Sequence, residues 1–330
     1  MYETIKRYTS AFSVSGREKY LANLICEELK PYTDSIKVDA MGNVIAFKKG
    51  KSSAKKLMIA SHMDEIGFIV TAIDDNGYVR VSNVGGINPI YSSYQTVKFE
   101  NGTKGITVID ASVKKDYKVK DLVIDIGASS KKEAMKKVAV GDLCAPVANL
   151  TRLMGKRIAA KAFDDRLGCA IASVSCKNVK TPAYDTYYVF TVQEEVGLRG
   201  SLPAAFGIMP DYSIAIDVTA TGDTVGAKAM EVKLGNGAAI KLMDSSVICS
   251  QFMVDSMVNC AKRNGIKYQL EILEGGGTDT RSMQVTGSGS HAGCISIPTR
   301  YIHSPVETID LKDAEACEKL LTTLVTEGIV

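Results

Sequence analysis

The stretch "KKLMIASHMDEIG", residues 55–67, decides how the chain is read. Leu57, Met58, Ile59 and Ala60 form an unbroken apolar run, the pattern of a strand buried on both faces of a sheet. It predicts a strand over 56–60 that delivers His62 and Asp64 just past its C-terminal end. After Gly67 the character of the sequence changes.

On the N-terminal side, Ser15-Gly16-Arg17-Glu18 is a capping-box pattern ahead of a helical face of Leu21, Leu24, Ile25 and Leu29. "NVIAFKKG" reads as a further strand. On the other side, residues 68–154 break into short β-rich pieces such as "GYVRVSNVGG", "YQTVKFENG", "GITVID" and "DLVIDIG". Gly, Asn and Asp punctuate them, and "KKEAMKKV" is the one clear short helix, so this stretch is predicted to be an inserted small β-barrel or sandwich. From Gly155 strands and helices alternate. "DDRLGCAIASVSC", "SQFMVDSMVNCAKRNG" and "LKDAEACEKLLTTLVTEG" read as helices. "YYVFTV", "YSIAID" (ending at Asp217), "GAAIKLMD" and "AGCISIP" read as strands. The fold class expected is α/β, an open mixed sheet sandwiched by helices. Its catalytic domain would be divided over 1–67 and 155–330 by the insertion at 68–154. In such sheets functional groups gather outside the carboxyl ends of the strands.

Composition narrows the function. A net charge of +3 over 330 residues is too small for a nucleic-acid footprint. No apolar stretch approaches the ~20 residues of a membrane span, and "MYETIKRYTSAF" has no apolar signal core. The eight cysteines are scattered singly with no CxxC pair, which suits reduced buried thiols and a cytoplasmic location.

The chemistry is carried by acids and histidines at strand ends. "VFTVQEEVGLRG", residues 189–200, ends a strand in two adjacent carboxylates that repel each other and cost desolvation. Strand neighbours point to opposite faces, so if Glu194 or Glu195 is solvated the other faces inward. The chain has three histidines: His62, His291 and His303. Taken singly, Asp164 in "KAFDDRLG" is best read as a helix N-cap with Asp165 favouring the helix dipole. Asp217 in "AIDVT" is best read as a strand-end turn residue, and His62 as a satisfied core histidine. Taken together, His62, Asp164, Glu195, Asp217 and His303 make a metal cluster the economical reading, since a divalent cation turns carboxylate repulsion into attraction. Two histidines and three carboxylates without cysteine suit zinc, cobalt or manganese. Two terminal carboxylates and a shared one would hold two ions roughly 3.5–4 Å apart, as in hydrolytic two-metal sites. Asp64 can reach the far ring nitrogen of His62 and fix its tautomer. Glu194, beside a ligand without being one, can take a proton from water and pass it to a leaving amine.

At these residues the chain resembles the glutamyl/deblocking aminopeptidases, the tetrahedral TET peptidases of metallopeptidase clan MH. "SHMDEIGF", "KAFDDRLGCA", "QEEVGLRG", "AIDVT", "GGGTDT" and "ISIPTRYIHSPVE" stand in the family's order over nearly the whole chain. The resemblance implies a zinc-peptidase-like fold and a metalloaminopeptidase acting on short peptides, with two divalent ions per subunit, zinc first and cobalt or manganese as alternatives. His62 and Asp217 would bind one ion and Glu195 and His303 the other, with Asp164 bridging, Glu194 as acid/base and Asp64 orienting His62. It also implies a cis Asp164–Asp165 peptide, dimerisation through the insertion, and assembly of dimers into a tetrahedral dodecamer. Arg281 departs from the small residue usual there. The bland reading, a surface charge or helix-start contact, comes first. The sharper one places it with Thr278 and Asp279 at the substrate, favouring an acidic N-terminal residue over an apolar one. His291 reads as structural. Two competing functions are an endoglucanase-type glycoside hydrolase, which needs carboxylates facing each other across a sugar, and a non-catalytic peptide-binding or assembly protein on a dead scaffold.

Overall fold

Two helices, α1 (Tyr2–Ser10) and α2 (Lys19–Leu29), precede strands β1 (Ser35–Val38), β2 (Val44–Lys48) and β3 (Ser52–His62) in a computed structural model that describes residues 1–110, 112–113 and 115–330. The chain then leaves the sheet to form β4 (Gly67–Ile73), β5 (Val79–Val84), β6 (Thr96–Phe99), β7 (Lys104–Ile109) and β8 (Leu122–Asp125), the short helix α3 (Lys131–Ala134) and β9 (Leu143–Pro146). It returns through β10 (Thr151–Arg152), β11 (Arg157–Ala160), α4 (Phe163–Asn178), β12 (Tyr184–Thr191), α5 (Ser201–Ile208), β13 (Tyr212–Thr219) and β14 (Ala238–Met243). Then come α6 (Gln251–Arg263), β15 (Tyr268–Ile272), α7 (Thr280–Gln284), β16 (His291–Pro298), β17 (Glu307–Asp310) and α8 (Leu311–Glu327).

The main sheet has eight strands in the order β1-β2-β12-β3-β13-β16-β14-β15. Its centre, β12-β3-β13-β16, is parallel, while β2 joins β12 and β14 joins β16 antiparallel, so the sheet is mixed. Alternate residues of the central strands serve two cores. Leu57 and Ile59 of β3 and Ile214 and Ile216 of β13 pack into the larger one, with α4, α6 and α8. Met58, Ala60 and Ala215 pack into the smaller one, with Ala204, Ala205 and Ile208 of α5 and Met283 of α7. Burial on both faces explains the unbroken apolar run, and each fully buried Leu, Ile or Met contributes about 1.5–3 kcal/mol. Strand β3 runs further than its apolar run predicts. Thr191 of β12 still pairs with His62, so the histidine is the strand's last residue and only Asp64 lies beyond it. Likewise β13 continues past Asp217 to Thr219, held by β16.

The six strands β4-β5-β8-β7-β6-β9 close into an antiparallel barrel around Phe68, Val79, Val97, Phe99, Leu122 and Ile124. Closure leaves no exposed strand edge, and it decides between the two expected forms of the insertion. Among the described residues, no helix is long and apolar enough to cross a membrane.

Candidate metal centre

Parallel β12, β3, β13 and β16 are neighbours, so their C-terminal ends share one sheet edge. That edge brings His62, Glu194, Glu195 and Asp217 together across more than 150 residues of sequence. Asp164 arrives from the start of α4 and His303 from the loop between β16 and β17. The two oxygens of Asp164 face different imidazoles: Oδ1 is 2.9 Å from His62 Nε2 and Oδ2 is 3.2 Å from His303 Nε2. Asp217 Oδ1 lies 3.9 Å from His62 Nε2, and Glu195 Oε2 lies 3.3 Å from His303 Nε2. Glu194 Oε2 lies 4.0 Å from His62 Nε2, about as far as Asp217. The Asp164–Asp165 peptide is cis.

Strand alternation does not apply to Glu194 and Glu195. Strand β12 ends at Thr191, Gln193 takes a left-handed φ of 56°, and both glutamates turn inward, their side chains 11% and 5% exposed. Asp64 does more than the sequence suggested. Its backbone carbonyl is 3.1 Å and its Oδ1 3.4 Å from His62 Nδ1, while its two oxygens accept the backbone N–H of Glu194 at 3.0 Å and of Glu195 at 3.2 Å. One carboxylate thus orients an imidazole and ties down the loop that carries both glutamates.

The capping box expected at 15–18 does not form. Ser15 Oγ donates to Asp64 Oδ2 at 2.6 Å. Glu18 Oε1 accepts from the N–H of Gly16 and of Gln193, and neither side chain caps α2. The buried acids at the sheet edge take these partners instead. Burial, with the charge of Asp64 added, raises the Glu18 carboxyl to about 7. The capping role read onto Asp164 falls to Asp165, whose Oδ1 accepts the N–H of Gly168 at 2.9 Å while Oδ2 accepts that of His62 at 3.2 Å. The sequence reading gave Asp165 only a helix-dipole role. Its adjacency to Asp164 repeats the doubled-acid signal of Glu194 and Glu195. A Cβ on Gly168 would fall 2.3–2.6 Å from the Asp165 carboxylate. Gly168→Ala is therefore expected to cost about 1–3 kcal/mol of stability, the usual penalty of overpacking, measurable by urea denaturation.

The barrel also reaches the cluster. In the turn after β5, a Cβ on Gly86 would lie 2.8 Å from His303 Nδ1, and one on Gly85 would lie 3.2 Å from Glu195 Oε2. Of the remaining candidates, Asp279 is buried and accepts from Thr191 Oγ1 at 2.6 Å, and Thr278 is buried and donates to Thr280 Oγ1. Arg281 is exposed on α7, and its side chain forms no hydrogen bond or ion pair with any described residue. His291 is exposed at the start of β16, at the opposite end of the sheet, where Ser250 Oγ is 3.1 Å from its Nδ1.

The chain alone leaves this cluster short of positive charge. Burial would raise Asp164, but hydrogen bonds from His303 and His62 outweigh it and hold its carboxyl below the usual range. Burial, then the charges of Asp217, Asp279 and Glu195, push Glu194 well above that range against the pull of His62. Burial also drives Asp217 and Asp165 up. Burial would lower His303, yet Asp164 and Glu195 lift its imidazole to about 12. Glu195 Oε1 is buried with no hydrogen-bond partner among the described residues. Donor atoms of His62, Asp164 and Glu195 lie within 4.8 Å of one another, and so do those of His62, Asp165 and Asp217. Crowded, under-neutralised N and O donors, among them an unpaired carboxylate oxygen, fit divalent cations.

Comparison with known proteins bears on this arrangement. Residues 42–320 match the family model described as M42 glutamyl aminopeptidase. A putative aminopeptidase of Acetivibrio thermocellus is 48% identical, with 97% of each chain covered. Among solved structures, an aminopeptidase from the archaeon Desulfurococcus kamchatkensis superposes with a TM-score of 0.95 at 38% identity, covering 99% of this chain and 94% of that one. The TET1 peptidase of Pyrococcus horikoshii, described as assembling into a tetrahedron or a large octahedral shell, superposes with a TM-score of 0.88 at 35% identity and 99% coverage of both chains.

Proposed function

The chain belongs to the M42 glutamyl aminopeptidase family and is a metal-dependent aminopeptidase, and from that premise we propose that it removes N-terminal residues from short peptides at a two-cation centre held by His62, Asp164, Glu195, Asp217 and His303. The single observation that carries the two-cation reading is Asp164, whose two oxygens each face a different imidazole. Divalent cations bound by this donor set, zinc first and cobalt or manganese as alternatives, would supply Lewis acidity to the scissile carbonyl, hold the free α-amino group and acidify water.

The chain's own residues do the rest. Glu194, whose Oε2 lies 4.0 Å from His62 Nε2 at the centre, takes a proton from the attacking water and returns it to the departing amine. Asp64 fixes the His62 ring and the backbone of both glutamates, so the proton carrier and its neighbouring ligand move as one unit. Acids converging on imidazoles do not make the opposed pair across an open cleft that a glycoside hydrolase needs.

A cavity of about 930 Å³ opens beside the segment leading to His303, walled mostly by apolar residues such as Leu242, Leu270, Ile272 and Ile302, with Lys228, Glu231 and Glu274 also at its wall. The mostly apolar lining, in which Lys228 is offset by Glu231 and Glu274, supports apolar N-terminal residues over acidic ones, with Arg281 only a surface charge. Metal-stripped protein, re-metallated separately with zinc, cobalt and manganese, is expected to regain activity and to prefer leucyl- over glutamyl-p-nitroanilide. Arg281→Ala is expected to leave that ratio unchanged. A glutamyl preference that collapses in Arg281→Ala would overturn this assignment, and activity persisting in stripped protein would overturn the metal dependence.

The inserted unit 68–154, which divides the catalytic unit into 1–67 and 155–330, is proposed to carry self-association between subunits. Ile90, Tyr91 and Tyr94 stand exposed on its β5–β6 connection, and the TET1 relative forms closed shells. A dimer building to a dodecamer is the state expected in analytical ultracentrifugation. Eight unpaired thiols, seven of them buried, support a cytoplasmic location.

A further inference from the structure

Glu307, the first residue of β17, is 2% exposed and was given no role by the sequence. Its two oxygens accept from two different main chains: Oε1 from the N–H of His303 at 2.8 Å, and Oε2 from the N–H of Asp164 at 3.0 Å. The register of β17 against β11, which places Glu307 opposite Ala160, brings its side chain to the turn into α4 that carries Asp164. His303 has a φ of +61°, a left-handed conformation that a histidine holds only where its surroundings fix it. The nearby buried ammonium of Lys161 is bonded to Glu65 at 2.5 Å and leaves Glu307 to the two amides.

We infer that Glu307 is a positioning residue, a carboxylate clamp that sets the spacing between the Asp164 and His303 backbones and so the cation affinity of the centre. This rests on the two-cation reading above. Both Glu307 oxygens are engaged by the main chain, so its action on the centre runs through the two backbones it holds. A buried acid with only a structural part would stabilise the fold without tuning the distance between two ligands.

The test is cation affinity, measured without substrate by competition against a chromophoric chelator with Zn(II) and Co(II). Glu307→Gln keeps the volume but offers one acceptor, and its amide NH₂ meets the second N–H donor to donor. The expected result is a 10–100-fold loss of affinity, the range for partners that orient ligands, with the near-UV circular dichroism of the stripped protein unchanged. A folded Glu307→Gln variant binding within twofold of wild type would overturn the inference. Should that variant lose its fold, Glu307→Asp, which keeps the charge and shortens the reach by one methylene, is titrated in its place under the same criteria. Wild type that binds no cation refutes the metal centre itself, whereas equal binding by wild type and variant refutes only the clamp.

Discussion

Glu194→Gln binds cations as wild type does and loses about 10²–10⁴-fold in kcat, the range that general acid–base catalysis contributes. The substitution is close to isosteric. The Glu194 backbone stays fixed by Asp64, which accepts its N–H at 3.0 Å. The side chain sits 4.0 Å from His62 Nε2, about as far as Asp217 at 3.9 Å, so distance does not separate proton carrier from ligand and cation binding by the variant does. Removing its proton capacity takes away an interaction made in the transition state, so kcat and kcat/KM fall together while KM stays near wild type. Glu195→Gln is the control. Its Oε2 is 3.3 Å from His303 Nε2 and its Oε1 is unpartnered, so that substitution weakens cation binding as well as turnover. Chelator competition and steady-state kinetics on both variants separate the roles. A Glu194→Gln enzyme within tenfold of wild-type kcat would remove Glu194 from proton transfer.

What the sequence made legible follows from which signals are local. The largely apolar runs at 57–60 and 187–192 report burial on both faces, as in the parallel centre of the mixed sheet, whose C-terminal edge carries the polar groups. The family resemblance, the mixed sheet and the inserted β unit all stand in the structure and the comparisons. The misreadings lie where a long-range acid overrides a local rule. Ser15 and Glu18 are spaced for a capping box, yet Asp64 and the Gln193 amide are stronger partners than the first turn of α2. Alternation assigned Glu194 and Glu195 to opposite faces, and the left-handed Gln193 removed the strand geometry on which alternation depends. Asp165 was passed over because a second acid at a helix start has a sufficient local explanation. Gly85 and Gly86 gave no signal, because what they accommodate, Glu195 and His303, lies more than 100 residues away. Local pattern therefore brought out the acids and histidines that converge at the sheet edge, and Asp64 beside them, but not Asp165, Gly85 and Gly86 that pack around them.

Asp164→Ala should abolish activity and uncouple stability from cations. Two effects act on the stripped protein in opposite directions. The variant deprives His62 and His303 of their shared partner, and breaking a buried pair costs about 3–5 kcal/mol. It also removes one charge from a crowd of acids in which burial and repulsion already disfavour ionisation. The stripped baseline mixes these terms, so the informative quantity is the gain on adding cation. For wild type, free cation at 1,000 times its dissociation constant adds about 4 kcal/mol to the unfolding free energy. Among the described residues Asp164 is the one carboxylate in contact with both imidazoles, so its loss is felt at both halves of the centre, and the same cation concentration should add less than about 1 kcal/mol. Urea denaturation of both proteins, stripped and with zinc, reads this difference directly. A variant stabilised by zinc as strongly as wild type would mean that the two histidines bind independently of Asp164, and the shared-carboxylate geometry would lose its function.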